Sequence, residues 1–164
     1  MKYTEEHVTR AASRQLVIEG WEIVAVHPPD GQGPFVIPKP PVNRRIERSS
    51  FHPDVVAVRP RSDFGAEVMI MECKLREADL QTDLEKLQHL ARNRFSILFA
   101  LYRCQKFDGG PDIGVHFEEV AALPTEKFPV RFGLAAMAEN DQVAHSIIEE
   151  FSCITYLFSE ASLG

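Results

Sequence analysis

FHPDVVAVRPRSDFGAEVMIMECK, residues Phe51 to Lys74, is the stretch that decides the fold. β-Branched and apolar runs flank Ser62, Asp63 and Gly65, which predicts two strands, Asp54–Val58 and Glu67–Lys74, joined by a turn over Arg61–Gly65. A hairpin centred near Asp63 places Asp54 opposite Glu72, with Cβ atoms about 4.5–5.5 Å apart. Glu72 and Lys74 are two apart and share a face. Val55 and Ala57 alternate with Val56 and Val58, and Met69 and Met71 with Val68 and Ile70, so both strands are apolar on both faces. Strands of that kind lie inside a layered α/β domain.

Two carboxylates held at the edge of such a layer repel each other, and leaving them buried and unpaired costs several kcal/mol each, roughly. A divalent cation relieves that cost, and Mg²⁺ favours one or two carboxylates completed by waters and phosphate oxygens. The lysine adds a point charge for a phosphate or a nucleophilic water.

Pro53-Asp54 followed by Glu72-Cys73-Lys74 resembles the PD-(D/E)XK nuclease superfamily. The resemblance covers roughly Thr4 to Cys104. It implies a restriction endonuclease-like αβββαβ core, a central mixed sheet flanked by helices. It also implies Mg²⁺-dependent hydrolysis of DNA leaving a 5′-phosphate, with Mn²⁺ able to substitute. Asp54, Glu72 and the Cys73 backbone carbonyl would bind the metal, and Lys74 would assist the attacking water. An acid on the first helix joins the site in many members, and Glu5 is the position carried over, with Glu6 close behind. Gln88 is an accessory candidate, because some branches have a helical glutamine there. The residues after it, His89 to Arg92, lack the tyrosine of some relatives, and an ordinary surface glutamine is the competing reading. His52 could bring an imidazole near the metal or serve the fold alone.

The chain has 164 residues, 45% of them hydrophobic and 26% charged, which is globular composition. We read residues 1–164 as one domain, with a core over about 4–104, a proline-rich insertion at 28–50 and C-terminal α/β additions at 105–164. No apolar run reaches the roughly 18 residues of a membrane span, and the first ten residues are too polar for a signal peptide, so a cytoplasmic protein is expected. Cys73, Cys104 and Cys153 are widely spaced and read as reduced, buried thiols. Glycine-rich phosphate loops, HExxH and Gly-x-Ser-x-Gly are missing from the sequence.

A net charge of −6 argues against a general polyanion binder, but the charge is unevenly spread. Lys39, Arg44, Arg45, Arg48, Arg59 and Arg61 face only Glu47 and Asp54 across 39–61, whereas residues from Asp108 onward are strongly acidic. Arg44, Arg45, Arg48, Arg59 and Arg61 are therefore candidates for phosphate contacts to DNA, with RNA left open. The competing reading of each is a solvated surface charge. A domain of this size has no evident sequence-reading module, so a homodimer or a partner protein would supply targeting. The alternative from another class is a non-catalytic protein on the same fold that binds a protein partner through its acidic surface.

In chain order, Thr4–Glu19 predicts a helix with Thr4 as N-cap and Gly20 closing it. Val8, Ala12 and Leu16 recur on its inward face with Glu5, an acid on an apolar stripe. Trp21–Val26 predicts a strand. Six of the eleven prolines then fall between Pro28 and Pro41, leaving room only for a brief edge strand over 35–37. After the hairpin, Leu80, Leu84, Leu87 and Ala91 mark a helix with Asp79 as N-cap. Phe95–Cys104 predicts a buried parallel strand, 115–123 a further strand, Asn140–Phe151 a helix and Cys153–Phe158 a last apolar segment.

Overall fold

The computed structural model of the chain describes residues 2–27, 37–38, 50–60, 66–107, 129–139, 144–148 and 153–164. Helix α1, Glu5–Ile18, leads into strand β1, Glu22–Val26, and a short β2–β3 pair follows, Ile37–Pro38 against Ser50–Phe51. The hairpin strands are β4, Val55–Pro60, and β5, Ala66–Arg76. A 3-10 turn at Glu77–Asp79 leads to α2, Leu80–Ala91, and α3, Arg94–Phe107. Strands β6 (Val130–Met137), β7 (Ala144–Ile148) and β8 (Cys153–Phe158) come next, then a terminal turn of helix, α4, Glu160–Leu163. The turn at 61–65, most of the proline-rich segment and the expected strand at 115–123 lie outside the described residues.

The result is an α/β architecture: a six-stranded mixed sheet in the order β1-β4-β5-β6-β8-β7. β1, β4 and β5 run antiparallel, β5, β6 and β8 run parallel, and β7 returns antiparallel to β8. In the hairpin Val55 pairs with Met71 and Val58 with Val68, which is the expected register and extrapolates to Asp54 opposite Glu72.

Strict alternation along β4 and β5 feeds two cores. Val56, Val58, Val68 and Ile70 face α2 and α3, packing with Leu80, Leu87, Ile97 and Leu101. Val55, Ala57, Met69, Met71 and Cys73 face α1, packing with Val8, Ala12, Leu16 and Trp21. α1 stops where Gly20 takes φ +90°, a conformation glycine reaches without a Cβ clash. Cys73 and Cys153 are buried and free. Among the described residues no helix is long and apolar enough to cross a membrane.

Three expectations fail. Phe95–Cys104 is not a strand but the middle of helix α3. A continuous apolar run has no period to separate the two states; Ile97, Leu98, Ala100 and Leu101 are buried at helical spacing, and leucine, alanine, arginine and glutamine favour the helix. The strand that lies parallel to β5 is β6 instead, so the core runs past residue 104. Part of 140–151 is strand β7 rather than helix, because pairing with β8 supplies backbone partners that an isolated segment lacks.

Gly133 shows how tightly β6 sits on β5. A Cβ there would meet Met71 Cε at 2.7 Å and Met69 Sδ at 3.2 Å. Both are ends of flexible side chains that can give way. Gly133→Val will cost about 1–3 kcal/mol in urea unfolding; an unchanged midpoint would contradict this packing.

Candidate active site

Asp54, Glu72 and Lys74 come together where β4 begins and β5 ends, on the face that α2 covers. The Cys73 N–H donates to Asp54 Oδ2 at 2.7 Å, pinning that carboxyl against β5. His27 steadies the other side. Its backbone N–H donates to the Asp54 carbonyl at 2.9 Å, and its buried ring bonds through Nδ1 to the Pro53 carbonyl. Burial holds the His27 pKa below its ordinary value, so the ring is neutral and donates from Nδ1 there. This bracing role was missed in the sequence, where His27 simply precedes a proline run. The Cys73 side chain lies in the core on the opposite face, 0% exposed, as alternation requires.

Glu72 is buried, and its Oε1 has no hydrogen-bond partner. Burial first, then the adjacent Asp54 carboxyl, pushes its pKa up to about 10. Asp54 is also raised, chiefly by burial, although the Cys73 N–H and Glu72 act in the opposite direction. The pair therefore holds a proton that one carboxyl donates to the other. Lys74 remains charged: burial alone would lower its pKa, but Asp83, Glu5, Asp54 and Glu72 together raise it.

Glu5 reaches this group from the first turn of α1, with Oε1 3.9 Å from Lys74 Nζ, and burial raises its pKa. Glu6 does not: it points to solvent and pairs with Arg10 at 2.9 Å. Asp83 on α2 is the site residue the sequence reading overlooked. It is 0% exposed, with Oδ2 3.6 Å from Lys74 Nζ and Oδ1 3.3 Å from Lys86 Nζ. The signal was present, since Asp83 interrupts the stripe Leu80, Leu87 and Leu90 as Glu5 interrupts that of α1. The expected stripe used Leu84 and Ala91, which are only partly buried. Asp79 precedes α2 as expected, but its carboxylate goes to Arg76 at 2.9 and 3.0 Å rather than capping the helix.

The other candidates are less central. Arg59 sits near the far end of β4 from Asp54. It donates to Glu67 Oε1 at 2.6 and 2.8 Å and to the Glu19 carbonyl at 3.1 Å, and stacks on Trp21 at 4.3 Å. These contacts tie its guanidinium to the fold, with 35% of the side chain still exposed. Gln88 is half-buried on α2 and makes no hydrogen bond or ion pair to the group among the described residues. His52 is half-buried, with its ring 5.7 Å from that of His27. Arg44, Arg45, Arg48 and Arg61 lie outside the described residues, as do most of the C-terminal acids.

Four carboxyls (Glu5, Asp54, Glu72, Asp83) thus act on Lys74, with Lys86 beside Asp83 the second ammonium, and full ionisation would leave two negative charges in excess. Among the described residues no three His, Cys, Asp or Glu side chains converge closely enough to ligate one ion. Asp54 and Glu72 form a pair, which is the donor number Mg²⁺ takes when waters and phosphate oxygens complete its shell. The partnerless Glu72 Oε1 beside a second carboxyl fits that cation. Compared with protein-family models, curated proteins and solved structures, the chain finds no match among any of the three. Fold and site define a mixed α/β protein with a buried carboxyl pair and an adjacent lysine.

Proposed function

We propose that the chain is a Mg²⁺-dependent phosphodiesterase acting on DNA, with the restriction endonuclease-like core that its Pro53-Asp54…Glu72-Cys73-Lys74 pattern implies. The observation that carries this reading is the buried Asp54–Glu72 pair, whose Glu72 Oε1 has no hydrogen-bond partner outside the pair. The order α1, β1, β4, β5, α2, β6, with β6 parallel to β5 and the first three strands antiparallel, supports the αβββαβ assignment.

Asp54 and Glu72 would hold the cation, with the Cys73 carbonyl as a further ligand. When bound, the cation supplies a water of lowered pKa and neutralises charge on the scissile phosphate. Lys74 keeps its proton, so it serves as a fixed donor to that water or to a phosphate oxygen rather than as a base. Glu5 and Asp83 orient the lysine. Asp54 and Glu72 would have to give up their shared proton to hold the cation, so its affinity would rise with pH. A homodimer or partner protein targets the activity.

Calorimetric titration of Mn²⁺ and Mg²⁺ tests this, repeated with short duplex DNA present. The expected result is saturable binding that Asp54→Ala abolishes, and DNA cleavage that Lys74→Ala reduces by at least ~100-fold. Absence of binding with and without DNA would sink the proposal.

A further inference from the structure

We propose that Asp83 is a positioning residue that holds Lys74 away from the Asp54–Glu72 pair and so keeps that pair open for a divalent cation. The cation half rests on the reading above; the restraint on Lys74 does not.

Lys74 shares a strand face with Glu72, and Asp54 lies across the hairpin, so these are the acids its ammonium would be expected to neutralise. It does not form an ion pair with either. Its ion pairs among the described residues go outward, to Asp83 at 3.6 Å and Glu5 at 3.9 Å. The pair it leaves behind keeps an unpartnered oxygen, Glu72 Oε1, in a residue 5% exposed.

Asp83 lies in the first turn of α2, where an acid complements the helix dipole, but its burial and its partners point to this further task. It stands on the inward stripe of α2, between Leu80 and Leu87, where a leucine would pack without cost and a charge is expensive. Neither carboxylate oxygen has a hydrogen bond. It caps no helix end, and its ion-pair partners are Lys74 from the sheet and Lys86 from its own helix. Its charge therefore acts on the two ammoniums. With Asp83 neutral, the opposing attraction on Lys74 among the described residues comes from Glu5 alone, at longer range and 29% exposed. The Asp54–Glu72 pair then becomes the dominant attractor. An ammonium drawn onto it would occupy the position of the cation.

The test is a double-mutant cycle on the full chain: wild type, Asp83→Asn, Lys74→Met and the double variant, each checked for cooperative unfolding. Mn²⁺ affinity is measured by calorimetry, and crystal structures are determined for the metal-free wild type and Asp83→Asn. We expect Asp83→Asn to weaken Mn²⁺ binding about tenfold, the scale of an outer-shell loss. Adding Lys74→Met should restore affinity to within about threefold of Lys74→Met alone, since the competing ammonium is gone. In the metal-free Asp83→Asn structure, Lys74 Nζ should lie within about 4 Å of Asp54 or Glu72. Unchanged affinity in Asp83→Asn, or an equal loss in the Lys74→Met background, would overturn the proposal. If the wild type binds no Mn²⁺ with or without duplex DNA, the cation reading fails on its own. The position of Lys74 then decides the restraint: moved onto the pair, it stands; still beside Glu5, it falls.

Discussion

Replacing Glu72 by glutamine will make the metal-free protein more stable at pH 8, by about 3 kcal/mol, while abolishing its stabilisation by Mg²⁺ or Mn²⁺. Burial and the Asp54 carboxyl raise the folded-state pKa of Glu72 from its ordinary 4.5 to about 10. A raised folded pKa means that the native chain keeps a proton the unfolded chain releases. The contribution to stability is fully present below about pH 4.5 and is lost as pH rises toward the folded value, at up to about 1.4 kcal/mol per unit. Glutamine has the shape of the protonated acid, can donate to Asp54, and never ionises. The gap between variant and wild type should thus be small at pH 5 and widen toward pH 8. Urea unfolding in EDTA at the two pH values measures it, and saturating Mn²⁺ should narrow it by stabilising only the wild type. Equal stability at pH 8 would mean that Glu72 ionises normally and that the pair stores no strain for a cation to relieve.

Five residues earlier on the same strand, Glu67 will behave in the opposite way. It is buried on the α1 face, accepting from Arg59 at 2.6 and 2.8 Å and from Arg131 at 2.9 Å. Burial would raise its pKa, but the two guanidiniums outweigh that and hold it below the usual carboxylate range. Its stabilisation is therefore present above about pH 4.5 and is lost as pH falls through the depressed folded value. Glu67→Gln should cost about 2–3 kcal/mol at pH 7, less than a fully buried pair because Arg59 and Arg131 remain 35% and 39% exposed. Denaturant midpoints at pH 7 and pH 3 test this, and the deficit should shrink at the lower value. A constant deficit would show that packing, not charge, sets the loss. One strand thus buries two glutamates with opposite pH slopes. Glu67 is answered by this chain's own cations, and Glu72 is not.

Much of this arrangement was legible in the residues from 51 to 74. Side chains alternate with period two, so a one-residue slip would have taken Glu72 and Lys74 off the face that they share with Asp54. The turn signal at Ser62–Gly65 set the centre, and the register carrying Asp54 to Glu72 followed from local rules alone. Glu5 was legible for a related reason: an acid on an apolar helical stripe demands a partner. Asp83 carried the same signal. It was passed over because acids early in a helix also complement the dipole, and sequence alone cannot say which turn of α2 meets the sheet.

What only the tertiary structure decided lies in segments without a period of their own. The run 95–104 is apolar except at Ser96 and Arg103, too few polar positions to set a period, so helix and strand satisfy it about equally until packing beneath β4 and β5 selects the helix. Strands β6 and β7 exist because β5 and β8 offer them unpaired backbone groups, a demand set by distant chain. The commitment of Arg59 to Glu67 and Trp21 depended on bringing residues 19, 21, 59, 67 and 131 to one place. Local periodicity and turn chemistry determined the hairpin and its carboxyl pair. Long-range packing determined which charges surround that pair and which are used up elsewhere.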